Sequence, residues 1–354
     1  MQRVYWKIVL GIVIAGFTAN LIMNIVIDPY KVFGIFDFNR KNFEVNSRYL
    51  KTEYLRKHHD YDAFIFGTSR AQAYAVDTLE KLTGQKTYNF CVPGENMNGI
   101  LQKIRWLVAD GHGIKRAVIC LDYDFMFTAE DIEPFDLLRQ EHPLVSGEPG
   151  FGFYARYLMF QPTVIRKTVI ANLSNNQVRY RFDRETGRDI FFERSDKIHV
   201  KKQLIADNVA LPKMNTYARP QQMAAFHATV NLLKEKGIES LYIVNPCHHL
   251  LLMSYDMQDY KDWLSGLAAA GAPVWDFSGF NSITMDDGHY SDISHFNSQI
   301  GDVVLQCALG SNRKDGPGIV LLQETLHQRL ENIQLQYEDM VGKTASRLSV
   351  DGYN

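Results

Sequence analysis

The sequence predicts an α/β domain, an open and largely parallel sheet flanked by helices, carried on one transmembrane helix. Three observations predict it. The apolar stretch that starts at Ile8 and ends at Ile27 holds no ionised side chain and has the length, about 20 residues, that a bilayer core requires. From Ala63 onward, short apolar runs alternate with segments of helical period, the pattern of βαβ units. Each run ends in small or turn-forming residues, which places a row of loops along one sheet edge.

The anchor comes first in the chain. Arg3 and Lys7 precede it and Asp28-Pro29 follows, so the positive flank holds the N-terminus in the cytoplasm. Everything after Asp28 then lies outside, which in a bacterium means an inner-membrane protein with a periplasmic or extracellular domain. A cleaved signal peptide is the competing reading, against which stand the length of the run and the lack of an Ala-x-Ala site. Asn20 and Asn24 share a helix face, either as a contact for another membrane helix or as tolerated amides near the interface. Residues 29–60 read as a polar connection with a basic, amphipathic helix over 42–59.

The body begins at the stretch Asp62 to Gln72. Ala63–Phe66 is a buried strand that stops at Gly67, and residues 70–75 and 77–82 lead away as helical sequence. Ser69 therefore sits at a strand's carboxyl end, with its hydroxyl exposed and its N–H near a helix N-terminus, as a nucleophile requires. A simple helix cap is the alternative reading. Residues 86–90 form a second strand, closed by a turn that contains Gly94. Met97–Ala109 is a helix, and the apolar run 117–121 is a third strand ending in Asp122-Tyr123-Asp124. Right-handed crossovers bring Ser69, Gly94 and Asp122 to Asp124 to one edge.

Residues 125–220 break the alternation and read as an insertion or lid, whose Arg and Tyr clusters serve either a sugar or the insertion's own packing. Alternation then resumes. A helix over 221–236 stops at Gly237, and the strand 240–244 ends in Asn245-Pro246-Cys247-His248-His249. A helix over 255–270, a strand over 273–277 and a helix over 298–308 complete the domain. Residues 320–340 have helical spacing, and the last residues are expected to be loose. The expected division is 1–28 for stub and anchor, 29–60 for the connection, 61–310 for the catalytic domain and 311–354 for a C-terminal helix and tail.

Composition excludes some classes. A net charge of −2 over 354 residues argues against a nucleic-acid partner, whose binding surfaces are strongly basic. Cys91, Cys120, Cys247 and Cys307 are too scattered for a CxxC site, although an exported domain could pair them. No metal site and no cofactor is expected.

The chemistry lies in two Asp-x-x-His pairs, Asp286/His289 and Asp292/His295. The second precedes Phe296-Asn297 and a helix, so His295 can lean over the sheet edge. A serine hydroxyl is a weak nucleophile until a histidine takes its proton, and that histidine needs a carboxylate to hold its tautomer. Ser69, His295 and Asp292 meet these needs.

Gly67-Thr68-Ser69-Arg70 after the first strand, Asn89 and Gly94 around the second, and Asp292-x-x-His295 before the last helix resemble the SGNH (GDSL-like) hydrolase and acyltransferase superfamily. The resemblance implies a flavodoxin-like parallel sheet sandwiched by helices. It implies Ser69 as nucleophile, His295 and Asp292 as base and orienting acid, and an oxyanion hole with the N–H groups of Ser69 and Gly94. The family's asparagine donor is not found, because Asp122-Tyr123-Asp124 stands where it would be. Asn245 or a backbone donor then substitutes, or the hole has two donors. Asn89, Asp122, Asp124 and His248 are secondary candidates. The anchor adds a likeness to the D-alanyl transfer protein of teichoic acid synthesis and to exopolysaccharide O-acetylation proteins. That likeness implies a multi-pass membrane-bound O-acyltransferase as acyl donor and a cell-surface or secreted glycan as acceptor. An esterase acting on acetylated carbohydrate, or a non-catalytic partner retaining the fold, are the other readings.

Overall fold

The computed structural model describes residues 2–41, 45–128, 136–174, 180–191, 217–310 and 316–350. Its strands are β1 (Ala63–Phe66), β2 (Thr87–Asn89), β3 (Arg116–Leu121), β4 (Tyr180–Phe182), β5 (Asp189–Phe191), β6 (Glu239–Val244), β7 (Val274–Asp276) and β8 (Ile319–Leu321). The helices are α1 (Gln2–Ile27), α2 (Ser47–Leu55), α3 (Val76–Thr83), α4 (Met97–Ala109), α5 (Pro143–Ser146), α6 (Gly150–Tyr157), α7 (Pro162–Leu173), α8 (Pro220–Glu235), α9 (His249–Ser254), α10 (Met257–Ala268), α11 (Ser298–Leu309) and α12 (Gln323–Val350). Two compact units result, one of Met1–Lys57, Asp131–Arg184 and Asp189–Glu193, the other of His58–Glu130, Glu185–Arg188 and Arg194–Asn354.

The second unit is the α/β body. Its sheet runs in the order β2-β1-β3-β6-β7-β8, parallel throughout except for β8 against β7. Every residue of β1 and all but the first of β3 are buried, so these strands read as continuous apolar runs rather than alternations. Phe66 pairs with Ile119, and Leu121 with Val244, which in turn faces Asp276, so the carboxyl ends of these strands lie along one edge. The chain steps from β1 outward to β2 and then back to β3. The order therefore reverses between β1 and β3, the place along an open α/β sheet where ligands bind.

The helix expected over 255–270 is α10, and a short helix that the sequence does not predict, α9, comes just before it. The carboxylate of Asp256 accepts the N–H groups of Gln258 and Asp259, at 2.9 and 3.1 Å, and this cap starts α10 afresh. The helix expected over 320–340 begins only at Gln323. The β-prone Ile319–Leu321 after Gly316-Pro317-Gly318 instead adds an antiparallel edge strand to β7. Helix α12 is held on the body by Arg329, whose Nε donates to Asp276 at 2.8 Å, and by the buried Ile333. All four cysteines are free thiols, three of them buried.

In the first unit, α1 is long and apolar enough to cross a membrane. Its two asparagines meet no second membrane helix among the described residues. Asn20 donates to the Leu158 carbonyl at 2.9 Å and Asn24 to that of Met159 at 3.3 Å, so they bind the turn between α6 and α7. The helix expected over 42–59 is the shorter α2, capped by Asn46, whose side chain accepts the Tyr49 N–H at 3.0 Å; residues 42–44 lie outside the described residues. Phe153 and Tyr157 of α6 are buried with Tyr30 and Tyr49, so these aromatics serve packing. Much of the expected insertion, 129–135, 175–179 and 192–216, lies outside the described residues.

Candidate active site

Ser69 follows β1 directly and opens a 3₁₀ turn, Ser69–Ala73. Gly67 makes that turn possible at this place. A Cβ there would come within 2.8 Å of the Ala71 Cβ and 3.0 Å of the Cys120 Cβ, so only glycine lets the strand end lie this close to β3. Asn89, fully buried at the end of β2, donates to the Ala71 carbonyl at 3.0 Å and ties the turn to the neighbouring strand. The turn is fixed from two sides.

His295 reaches Ser69 from the far end of the domain. Its Nε2 lies 2.8 Å from Ser69 Oγ, and its Nδ1 lies 2.8 and 2.9 Å from the two carboxylate oxygens of Asp292. A carboxylate only accepts, so Nδ1 carries the proton and Nε2 presents a lone pair to the serine hydroxyl. Asp292 also accepts the backbone N–H groups of Ser294 and His295, both at 2.8 Å. Burial alone would raise its carboxyl, but the hydrogen bonds and charge of His295 together with these two N–H groups outweigh it and hold the pKa at about 2. The carboxylate stays ionised at any physiological pH.

The loop itself is a small hairpin. Tyr290 and Phe296 pair as an antiparallel bridge, and the Ser291 N–H donates to the His295 carbonyl at 2.9 Å. Asn297 then caps α11 by accepting the Ile300 N–H at 3.1 Å. Helix α11 is pressed onto the serine turn, since a Cβ on Gly301 would sit 2.3 Å from the Ala73 carbonyl oxygen. The helix that follows the histidine loop and the turn that carries serine therefore pack backbone to backbone.

A residue the sequence reading passed over locks this arrangement. Arg70, buried and next to the serine, donates to both oxygens of Asp124 at 2.5 and 2.7 Å, pairs with Asp122 at 2.9 Å, and donates from Nε to the Ser294 carbonyl at 2.8 Å. Burial pushes the guanidinium's pKa down, but the two carboxylates overcome this and raise it well above its ordinary value. Thr68 Oγ1 donates to Asp122 at 2.6 Å and the Asn245 amide donates to the same carboxylate at 2.9 Å. The aspartates that replace the expected asparagine are thus struts for Arg70, and their charge is met inside the protein. The sequence signal was an arginine beside the serine and two aspartates after β3, legible only once both were known to be buried.

The other sequence candidates fall into three groups. Asn245 donates one amide N–H to Asp122 and accepts the Tyr74 hydroxyl at 2.6 Å, which makes it a buried strut; the amide carries a second N–H besides. Gly94 turns the chain after β2 with φ of +60°, next to Glu95, which forms a fully buried ion pair with Lys103 of α4. His248 stands apart from the relay. It caps α9 by accepting the Leu250 N–H at 3.3 Å through Nδ1 and meets Asp287 at 2.9 Å through Nε2.

The sequence reading expected no metal site, yet His59, Asp110 and His112 come together at the other edge of the sheet. At the Ser69 edge, the arrangement can do one thing well. It can deprotonate a serine hydroxyl as that hydroxyl attacks a carbonyl and return the proton to a leaving oxygen or sulfur. No protein-family model and no curated protein matches this sequence.

Proposed function

We propose that this chain is a membrane-anchored, outward-facing serine acyltransferase of the SGNH type, which moves an acyl group, acetyl by preference, onto a cell-surface or secreted glycan. The observation that carries the reading is the continuous relay Ser69–His295–Asp292. In the first half-reaction Ser69 Oγ attacks the acyl carbonyl while His295 Nε2 takes its proton, and the same proton passes to the departing group as the ester forms on Ser69. In the second, a glycan hydroxyl gives its proton to His295 and attacks that ester. Ser69 Oγ then leaves and recovers the proton. In this reading the oxyanion donors are the Ser69 N–H, at the head of its 3₁₀ turn, and that of Gly94, both as the resemblance implies. Since acetyl-coenzyme A is confined to the cytoplasm, an outward domain draws its acyl group from a multi-pass membrane-bound O-acyltransferase.

One observation favours a second reading, a carbohydrate O-acetylesterase. The His295 and Asp292 side chains are 31% and 46% exposed, so water can reach the relay and take the acyl group in place of a glycan. A non-catalytic partner role draws no support from a complete relay. The test is full-length protein in detergent, incubated with an activated acetyl ester and read by intact mass. A gain of one acetyl that is absent in Ser69→Ala supports the covalent step, and decay with and without a glycan acceptor separates transfer from hydrolysis. A folded protein that gains no mass overturns the reading.

A further inference from the structure

The edge of the sheet opposite Ser69 holds a second constellation. His59 precedes β1 and the Asp110-Gly111-His112 turn follows α4, so both segments lie at the amino ends of parallel strands. The Asp110 Oδ2 lies 3.3 Å from His59 Nε2 and 3.4 Å from His112 Nε2. The two imidazoles stack with centroids 4.2 Å apart and planes 16° from parallel. All three donor atoms fall within 4.8 Å of one another.

Burial makes this cluster costly as it stands. The His112 side chain is 0% exposed, walled by Phe64 and Trp106. The approaches of 3.3 and 3.4 Å to Asp110 Oδ2 are too poorly aligned to be hydrogen bonds, so neither His112 ring nitrogen nor the buried Asp110 Oδ2 has a hydrogen-bond partner. A buried polar atom left in this way gives up its hydrogen bonds to water with nothing in return. The backbone cannot retreat from the problem, because the Asp110 and His112 N–H groups close α4 on the Trp106 and Leu107 carbonyls at 2.8 and 3.0 Å.

We propose that His59, Asp110 and His112 bind a divalent transition-metal ion of the zinc type. The distances are those of a preformed site. A tetrahedral zinc with bonds of about 2.0–2.1 Å to nitrogen and oxygen has ligand-to-ligand edges of about 3.3–3.4 Å. Two imidazoles and one carboxylate suit a borderline metal, whereas magnesium and calcium prefer oxygen alone. One ion satisfies the orphaned His112 Nε2 and Asp110 Oδ2 together, and its charge offsets the carboxylate. Its fourth position opens on the side of His59, whose side chain is 45% exposed, so water completes the shell. The four residues of β1, about 13 Å of strand, separate this cluster from Ser69, so the ion is a staple and not part of the serine chemistry. It fastens the start of β1 to the turn that leads into β3.

The test needs full-length protein carrying no histidine tag. After chelation and desalting, zinc is titrated in and retained metal is measured by elemental mass spectrometry; cobalt is used in parallel for its tetrahedral d–d absorption. One equivalent per chain is expected, with a rise in melting temperature on zinc addition. His59→Ala, a change at an exposed side chain that leaves folding intact, is expected to weaken binding by more than the roughly 10–100-fold that outer-shell changes cost. His112→Ala and Asp110→Asn are expected to do the same, while Ser69→Ala retains the metal. Zinc retained equally by wild type and His59→Ala, or by neither, overturns the proposal.

Discussion

The two Asp-x-x-His pairs share one spacing and one loop region, yet they are wired oppositely. In the first, Asp286 accepts the Gly288 N–H at 2.8 Å and caps the turn Asp287–His289, and His289 spends its Nδ1 proton on the Ile283 carbonyl at 3.0 Å. Its Nε2 stands 3.7 Å from Asp286, beyond hydrogen-bond reach. In the second, the carboxylate takes Nδ1 and leaves Nε2 for Ser69. The difference teaches that spacing alone does not build a relay to the serine. What matters is which ring nitrogen the carboxylate occupies, and that follows from the backbone around it. The first pair sits in a 3₁₀ turn; the second sits inside the hairpin closed by Tyr290 and Phe296.

The largest expected effect tests that contrast directly. Ser69→Ala should abolish acyl-enzyme formation, and His295→Ala should lower its rate by about 10⁴–10⁶-fold, the loss seen when a serine relay is cut. His289→Ala should leave the rate within about threefold, since its ring holds only a carbonyl. Stopped-flow release from an activated ester measures both. A comparable fall in His289→Ala would break the comparison. Next in size, Asp292→Asn should cost on the order of 10⁴-fold, because an amide at that place favours the wrong tautomer. Asp286→Asn should change little, as asparagine caps a turn equally well.

Arg70 sharpens the comparison from another side, because it grips the second loop through Ser294 and leaves the first alone. Replacing it with Met removes the cation from two buried carboxylates and should destabilise the fold by about 3–5 kcal/mol, read as a lower melting temperature. Arg70→Lys keeps a charge but loses the fork that spans Asp122, Asp124 and Ser294 together, so partial rescue of stability without full rescue of rate is expected. Full rescue of both would mean that charge alone matters at this position.

The placement of the serine, the histidine and the acid at one sheet edge was legible in the sequence because local signals, each weak alone, fall in a consistent order. Ala63–Phe66 stops at a glycine, and a helix with Asn297 as cap follows the second pair. The parallel sheet was legible for the same reason, since buried central strands are written as unbroken apolar runs. Long-range partnership was not legible. Asp122 and Asp124 looked like an electrostatic liability until Arg70, more than fifty residues away in the chain, was seen between them. The grip of Tyr74 and Asp122 on Asn245 is a partnership of the same long-range kind. The strand Ile319–Leu321 is too short for a periodicity to register, and His59 lies too far along the chain from Asp110 and His112 for their spacing to suggest a cluster.

The smallest expected effect concerns acid. Asp292 is depressed from its ordinary 3.8 to about 2 in the folded protein, against the pull of burial, by His295 and two backbone N–H groups. A depressed carboxyl binds protons more weakly folded than unfolded, so it contributes stability above about pH 4, and that contribution is lost as pH falls toward 2. Its side chain is nearly half exposed, and screening by water keeps the contribution below about 1 kcal/mol. Melting curves of wild type and Asp292→Asn between pH 7 and 2 would read it: the gap between the two should be constant above pH 4 and close below it. Asp286→Asn, compared with wild type in the same way, should show no such closing gap, because Asp286 accepts only the Gly288 N–H within its turn and lies too far from His289 to hold its ring. If the gap for Asp292→Asn also stayed constant down to pH 2, the carboxylate would not be held by His295 in solution, and the distinction between the two pairs would fail at its electrostatic root.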